Sequence, residues 1–462
     1  MKRRQHPLGP GLLLLLLLVP AVGQGRPLIT RSDPVRLLPR GPRGRLVVGV
    51  MGSAAPESTI APELGQRLDR LGRYIANRGH VVLTGACPGM PQRTVRAAKR
   101  VGGFTVGVSP AGSLKDHTQR FHSPTEALDV IQMTNTGAGM GFIAREKQNI
   151  KFSDILLFTG GRSGTLGEIL FAMQERKVIA LLDDSTGVTA AFKKQILPLI
   201  GKGRGVFVSD RDPERLMQKA ERAHLRLEQR QVSTSVLKRL DGVLAGRKPT
   251  VVGRGRSAIT PATLERHNVY TFFGTSRGMS SGDRAKVMQL VDHIAADRTG
   301  GRTPLLVAPV RKGLTSQVAR AAQKQGVKTV GITHASSSGE LVGRGRPRTM
   351  FDTIQLTGEG KGVGEIAAYR HGIDRADVVF VAGGDHRTLG GTVFAMYQPT
   401  VVAVLETGGM SGKLRTDILS TFDKPAHATM IYDSDPGRLY RRAVSAASKL
   451  RHAVKTDYIA PE

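Results

Sequence analysis

Residues 159–173 read TGGRSGTLGEILFAM, and residues 382–396 read AGGDHRTLGGTVFAM. Each segment has two glycines near its start, continues through TLG and ends in FAM, so the two are copies of one motif. In the first copy a glutamate, Glu168, stands where the second copy has Gly391. The copies therefore share a scaffold and differ in an acidic side chain.

The duplication extends well beyond this motif. Asp154 and Asp377 precede the two copies at a separation of 223 residues (377 − 154), and Asp212 and Asp435 repeat that separation. A unit of roughly 185 residues thus occurs twice, and a period of this length indicates tandem domains instead of a solenoid. The predicted division is a signal peptide 1–23, an Arg- and Pro-rich leader 24–45, a first unit 46–230, a linker 231–267, a second unit 268–453 and a tail 454–462.

Each unit alternates short apolar runs with longer amphipathic segments. In the first unit RLVVGVMG, VVLTG, FTVGVSP, DILLFTGG and VIALLD are predicted strands, separated by predicted helices such as ELGQRLDRLGRYIANRG and LGEILFAMQERK. Nearly continuous apolar strands between helices are typical of a parallel sheet that is covered on both faces. Ligands of such sheets bind at the carboxyl ends of the strands, which here are rich in glycine.

The turn GGRSGT lies between a predicted strand and the start of a predicted helix. Backbone N–H groups and the positive end of the helix dipole face an anion there, and glycine lets the anion approach closely. The turn predicts a phosphate site, although glycines also serve tight turns for steric reasons alone.

Thr165 and Glu168 allow two interpretations. T-x-x-E is a capping box, in which both side chains satisfy N–H groups at the helix start. Alternatively, Glu168 lies in the first helical turn at the ligand edge of the sheet, where Arg145 from the preceding helix reaches the same cleft. A single arginine is more often a surface residue, but the second copy has Ala368 and Gly391 at these two positions. The joint loss favours a functional pair.

These motifs resemble the SLOG or LOG-like superfamily, whose members are often described as possible lysine decarboxylases and include the cytokinin riboside 5′-monophosphate phosphoribohydrolases. The superfamily signature PGGxGTxxE follows an arginine-bearing helix, and this chain has AREKQNIKFSDILLFTGGRSGTLGE. The resemblance covers most of residues 46–230. It implies the α/β class with two tandem Rossmann-like domains, each a mostly parallel sheet with helices on both faces, the second domain being a degenerate copy.

The resemblance also implies an activity. Glu168 and Arg145 would be the catalytic pair of a hydrolase that cleaves a nucleoside 5′-monophosphate to free base and ribose 5-phosphate. A carboxylate stabilises the oxocarbenium charge and orients water, while arginine holds phosphate or sugar oxygens. No metal and no cofactor is implied. The implied nucleotide- or phosphate-binding residues are Gly52, Ser53, Gly85, Gly89, Met90, Gly160, Gly161, Arg162, Ser163, Gly164 and Thr165.

Two departures from the superfamily pattern keep an alternative open. Arg162 replaces a glycine of the loop, and one residue is inserted between Gly141 and Arg145. Either change fits a different anionic ligand, such as a dinucleotide or ADP-ribose, or a sensor that binds without turnover. Because superfamily members commonly dimerise, the resemblance also implies a covalent pseudo-dimer, in which the second unit supports the first, or a homo-oligomer.

The net charge of +31 raises a third alternative, a protein that binds polyanions such as nucleic acid. A basic surface without such a partner fits equally well, because aromatic residues make up only 5% of the chain and no nucleic-acid motif occurs.

The N-terminal sequence predicts where the protein is located. MKRRQH is followed by LLLLLLLV and AVG, the order of a signal peptide whose apolar run is too short to span a membrane. We expect an exported mature chain, periplasmic or secreted, without a transmembrane span; organelle targeting is the alternative because an Arg-rich stretch follows. Cys87 is the single cysteine, which excludes an internal disulfide framework and a cysteine-based metal site.

Overall fold

The computed structural model describes residues 27–31, 34, 44–135, 140–183, 186–203, 205–235, 250–252, 259–310, 313–334, 351–357, 372–419 and 427–457. The predicted signal peptide and Ala368, the counterpart of Arg145, lie outside these residues, as does much of the predicted linker. No helix in the described part of the chain is both long enough and apolar enough to cross a membrane.

The described residues of the first unit form eight strands: β1 Leu28–Thr30, β2 Val47–Gly52, β3 Val81–Thr84, β4 Phe104–Ser109, β5 Val130–Met133, β6 Ile155–Thr159, β7 Val178–Leu182 and β8 Val206–Asp210. They form one sheet in the order β1-β5-β4-β3-β2-β6-β7-β8, with every pairing parallel. Its helices are α1 Pro62–Asn77, α2 Met90–Lys99, α3 Met140–Phe152, α4 Ser163–Gln174, α5 Gly187–Ala191, α6 Leu197–Ile200 and α7 Pro213–Ser235.

The second unit repeats this plan. Its strands are β9 Thr250–Val252, β10 His267–Thr275, β11 Thr303–Pro309, β12 Lys328–His334, β13 Thr353–Thr357, β14 Val378–Gly383, β15 Val401–Leu405 and β16 Thr429–Asp433. They pair in parallel in the order β16-β15-β14-β10-β11-β12-β13-β9. Its helices are α8 Pro261–Arg266, α9 Ser281–Ala295, α10 Leu314–Lys324, α11 His386–Met396, α12 Met410–Lys413 and α13 Pro436–Asp457. The predicted α/β class with two Rossmann-like parallel sheets is confirmed.

Short elements lie in the segments that flank the two units. Strand β1 falls in the predicted leader and pairs with β5, so this segment extends the first sheet at its edge. Strand β9 and helix α8 fall in the predicted linker, and β9 pairs with β13 at the edge of the second sheet. The two flanking segments thus add one equivalent edge strand to each sheet.

Alternating side chains along each strand divide the core into layers. In β2, Val48 and Val50 face a cluster with helices α1, α2 and α7, while Val47 and Met51 face a second cluster that includes α4. That second cluster also contains residues of β14, β15 and α11 from the second unit. The inner faces of the two sheets therefore share one hydrophobic core, in which α4 and α11 lie.

Equivalent residues of the two repeats meet in this shared core. Phe171 of α4 and Phe394 of α11 are buried edge to face, with ring centroids 6.2 Å apart and an interplanar angle of 71°. The two positions are 223 residues apart (394 − 171), which is the repeat distance. Contact between equivalent positions is characteristic of a two-fold interface, and it explains why FAM occurs in both copies.

Candidate functional site

The centre of the first sheet is a topological switch point. The chain leaves β2 toward β3, β4 and β5 on one side, then returns to β6 and continues to β7 and β8 on the other. The crevice outside the carboxyl ends of two such neighbouring strands is where open α/β sheets bind ligands. A cavity of about 600 Å³ opens there.

This cavity brings together many of the residues that the sequence predicted. Its walls come from the turns after β2, β3 and β6 and from helices α3 and α4, so separate segments of the chain meet in one place. The predicted residues that line it are Gly52, Ser53, Gly85, Arg145, Arg162, Gly164, Thr165 and Glu168.

The other predicted residues shape or surround the cavity. Gly160 and Gly161 turn the loop with positive φ angles of 62° and 90°, and their carbonyls accept hydrogen bonds from the N–H groups of Thr189 and Val188. Met90 packs behind the loop, since a β-carbon at Gly160 would lie 2.8 Å from its sulfur. Gly89 has a φ of 80° and lines an adjoining cavity. Ser163 contacts the second unit.

Helix α4 presents its N-terminus to this cavity. Arg162 occupies the N-cap position in an extended conformation, and among the described residues no side chain caps the helix. The T-x-x-E capping box is therefore absent. Glu168 is the sixth residue of α4, in the second turn, so the expected position in the first turn was wrong. An uncapped N-terminus leaves backbone N–H groups for an anion.

In the second unit, the N-terminus of the equivalent helix is capped by a side chain of the chain itself. Asp385 is the N-cap of α11, and its Oδ1 accepts hydrogen bonds from the backbone N–H groups of Arg387 at 3.0 Å and Thr388 at 3.1 Å. Asp385 lies 223 residues after Arg162 (385 − 162), so a carboxylate stands where the first unit has a guanidinium. The carboxylate occupies the place that a bound anion would take.

Arg145 is held against the turn after β3. Its Nη1 donates a hydrogen bond to the carbonyl of Gly85 at 2.9 Å. A β-carbon at Gly85 would lie 1.9 Å from this nitrogen, so a side chain at this position would have to displace the guanidinium. Burial by itself lowers the pKa of Arg145, but the nearby Glu168, Cys87 and Glu146 outweigh burial and raise it, so the residue stays a cation.

Glu168 is almost entirely buried. Its exposed fraction is 6%, and its Oε1 accepts a hydrogen bond from Nδ2 of Asn149 at 3.3 Å. Burial raises the pKa of the Glu168 carboxyl above its usual value, although Arg145 and Asn149 oppose the shift. A carboxyl with a raised pKa next to a cation is a common arrangement at sites of acid–base chemistry.

Four further residues complete the site and were not predicted. Glu146 lines the cavity with an exposed fraction of 4%, next to Arg145 in the sequence. Asn149 lies one turn further along α3, and Cys87 lies in the turn after β3, where burial raises the pKa of its thiol. The i,i+4 spacing from Arg145 was a signal for Asn149, whereas helical spacing gave no signal for Glu146.

The fourth residue comes from the second unit. The hydroxyl oxygens of Tyr397 and Ser163 are 2.6 Å apart and share a hydrogen bond. The two residues are separated by 234 positions in the chain, so no local pattern relates them. The described residues contain no group of three or more His, Cys, Asp and Glu side chains arranged for a metal.

Fold and cavity together define a Rossmann-like α/β protein with an uncapped helix N-terminus at the switch point. The family model described as LDcluster4, the SLOG cluster4 family, matches residues 45–216. The resemblance to the SLOG superfamily is thereby confirmed for the first unit.

Individual proteins with similar sequences or structures match parts of the chain. An uncharacterized protein of Archaeoglobus fulgidus is 32% identical over 113 residues, which are 24% of this chain and 66% of that relative. The structure of TM1055 shows 24% identity and a TM-score of 0.34, covering 38% of this chain and 99% of its own. The molybdenum cofactor carrier protein of Chlamydomonas reinhardtii shows 25% identity and a TM-score of 0.30, covering 39% of this chain and 99% of its own.

Proposed function

We propose that the first unit hydrolyses the N-glycosidic bond of a nucleoside 5′-monophosphate and releases free base and ribose 5-phosphate. The observation that carries this proposal is the meeting of the uncapped N-terminus of α4 with Arg145 and Glu168 in one cavity. The helix N-terminus binds the phosphate, and the side chains of Arg145 and Glu168 interact with the sugar.

Each part has a physical role in the proposed reaction. The N–H groups at the start of α4 hold the 5′-phosphate, with Gly164 and Thr165 at the cavity wall. Breaking the C1′–N bond develops positive charge on the ribose, and the Glu168 carboxylate stabilises this charge. Arg145 is fixed by Gly85 and therefore offers sugar or phosphate oxygens a guanidinium in a defined position.

The second unit is assigned a supporting role. Its own loop carries Asp385 on the helix N-terminus, and it has lost the glutamate at position 391. It contributes the Tyr397 hydroxyl to Ser163 at the start of α4. We infer that the two units act as a covalent pseudo-dimer with one catalytic site, which lies in the first unit.

The test is release of ribose 5-phosphate from a panel of nucleotides by the purified chain. We expect release from at least one nucleoside 5′-monophosphate and a loss of about 10²–10⁴-fold in Glu168→Gln, because removal of a positioned acid–base group has this magnitude. Thr165→Ala should weaken turnover, whereas Thr388→Ala at the equivalent position of the second unit should not. No release from any nucleotide would refute the hydrolase.

A nucleotide sensor is the second candidate, and Arg162 favours it. The guanidinium lines the cavity beside the phosphate loop, where it suits a ligand with more than one phosphate. Calorimetric titration with ADP-ribose and with mononucleotides separates the two functions. Tight binding of the diphosphate without release of any base would establish the sensor in place of the hydrolase.

A further inference from the structure

The cavity has an end to which the reaction proposed above assigns no part of the ligand. The loop before α4 follows β6, whereas Pro110 and Phe121 follow β4, and all of these segments line the same cavity. In the sheet β4 and β6 are separated by β3 and β2, so their carboxyl ends lie roughly 14 Å apart, at three strand spacings. A ligand that is held at α4 therefore has room to extend toward β4.

The segment after β4 is fixed by a buried histidine. His117 has an exposed fraction of 0%, and its Nε2 donates a hydrogen bond to the carbonyl of Pro124 at 3.1 Å. The neutral ring then accepts, at Nδ1, a hydrogen bond from the hydroxyl of Ser109 at 2.8 Å. Burial lowers the pKa of the His117 imidazole, which agrees with this neutral form. Because Ser109 is the last residue of β4, the loop 110–124 is tied to the end of this strand.

Phe121 is the aromatic side chain that this loop brings to the cavity. Its backbone N–H donates a hydrogen bond to the carbonyl of Asp116 at 3.2 Å, and its carbonyl accepts one from the hydroxyl of Ser123 at 3.2 Å. The guanidinium of Arg120 lies over the ring, 5.3 Å from the ring centroid, which is a cation–π distance. The half-buried ring is therefore held in place at the cavity wall.

The neighbours of Phe121 at this end suit a flat, apolar group. Pro88 and Pro110 line the cavity with it, and the proline ring offers a ligand no hydrogen-bond donor or acceptor. Ser123 also lines the cavity, but its hydroxyl hydrogen is donated to the carbonyl of Phe121. An aromatic side chain binds the π-face of a nucleobase by stacking, which requires no hydrogen-bonding side chain.

We propose that Phe121 is the side chain on which the base of the nucleotide stacks. The site then has a phosphate end at α4, a sugar region at Arg145 and Glu168, and a base end on the loop 110–124. Its ligands are nucleotides with an aromatic base, because ribose 5-phosphate lacks the group that the base end binds. This assignment rests on the nucleotide site proposed above, and it applies whether the nucleotide is cleaved or only bound.

The test compares two ligands that differ in the base. Carbocyclic AMP has a carbon in place of the ribose ring oxygen, so it forms no oxocarbenium ion and is not hydrolysed; ribose 5-phosphate has no base. In calorimetric titrations Phe121→Ala should weaken binding of carbocyclic AMP about 5- to 100-fold, the range for loss of one stacking contact. The same variant should bind ribose 5-phosphate like the wild type. Phe121→Tyr, which keeps the ring, should bind both ligands like the wild type.

Phe104→Ala is the matched control. Phe104 is also half-buried and belongs to the same strand, but it lies at the amino end of β4, away from the cavity. Its truncation should lower stability without changing the affinity for either ligand. Phe121→Leu, which lacks an aromatic ring, provides the second variant if the alanine protein does not fold.

Three results would overturn this role of Phe121 and leave the phosphate site at α4 standing. They are unchanged affinity of Phe121→Ala for carbocyclic AMP, an equal loss of affinity for both ligands, and equal affinity of the wild type for the two ligands. A wild type that binds neither ligand would instead refute the nucleotide site itself.

Discussion

At the scale of single residues, the site is a set of buried charges that depend on one another. Arg145 stays charged because Glu168, Glu146 and Cys87 surround it, and the two glutamates share this one close cation. Gly85 is part of the same arrangement, because any side chain there would displace the guanidinium. The consequence is that the stability of the protein should report the protonation of the glutamates.

Glu146→Gln should change how stability depends on pH. The pKa of Glu146 is raised in the folded protein, so the unfolded chain releases this proton first as pH rises. The resulting stabilisation is fully present below the ordinary glutamate value of 4.5 and is lost as pH rises through the raised folded value. The unfolding free energy of the wild type relative to Glu146→Gln should therefore fall as pH rises, as measured by urea titrations at several pH values. A difference that is constant or that increases with pH contradicts a raised pKa of the Glu146 carboxyl.

At the scale of elements, the two copies of one helix differ in how the N-terminus is used. Helix α11 is capped by the carboxylate of Asp385, which accepts hydrogen bonds from two backbone N–H groups of the first turn and so stabilises the helix. Helix α4 has Arg162 there and no side-chain cap, so it lacks this local stabilisation. Under the proposed function, the first unit uses the N-terminus of α4 for binding, whereas the second unit uses the equivalent N-terminus for a side-chain cap.

Arg162→Asp should convert the first helix to the state of the second. The new carboxylate should cap α4, so that unfolding free energy is unchanged or rises by about 1 kcal/mol. The same carboxylate should repel phosphate and weaken binding of ribose 5-phosphate by about tenfold or more. Calorimetric titration and chemical unfolding measure the two effects.

Two further variants provide controls for this exchange. Arg162→Ala removes the cation without adding a cap, so its loss of affinity should be smaller than that of Arg162→Asp. Asp385→Ala should cost about 0.5–2 kcal/mol of stability and leave ribose 5-phosphate binding as it is. Unchanged phosphate affinity in Arg162→Asp would show that α4 does not hold the ligand.

At the scale of the whole molecule, the two units are joined by a hydrophobic core to which both contribute side chains. The shared cluster contains Phe158 of the first sheet, Val381 of the second, and the facing rings of Phe171 and Phe394. Separation of the units would expose this apolar surface to water, which is unfavourable in proportion to its area. The hydrogen bond between Tyr397 of the second unit and Ser163 at the start of α4 should therefore be lost together with the interface.

Phe394→Ala should destabilise both units together. Truncation of a buried phenylalanine lowers the free energy of unfolding by about 3–5 kcal/mol. At Phe394 the removed ring would leave an empty space between the two sheets. We expect scanning calorimetry to show one unfolding transition in the wild type and one transition at lower temperature in the variant. Leu225→Ala, at a position 57% exposed, should leave the transition where it is. Two separate transitions, with only one of them shifted, would contradict a common core.

The sequence by itself determined the α/β class, the duplication and the meeting of Arg145, Glu168 and the glycine loop at one edge of a sheet. These features follow from local patterns: apolar strands between helices, the 223-residue repeat, and glycine where a strand turns into a helix. The loss of the glutamate in the second copy was likewise visible in the sequence.

Only the tertiary structure decided how these parts work together. In the structure the predicted capping box is not formed, and Glu168 lies in the second turn of α4. Tyr397 forms a hydrogen bond with Ser163, which lies 234 residues earlier in the chain. The tertiary structure also buried Glu146 and Glu168 beside one arginine, and this burial raises the pKa of both carboxyls. The physical reason is that burial and the distance between charges depend on the packing of the whole chain, whereas strand, turn and helix patterns depend on neighbours in the sequence.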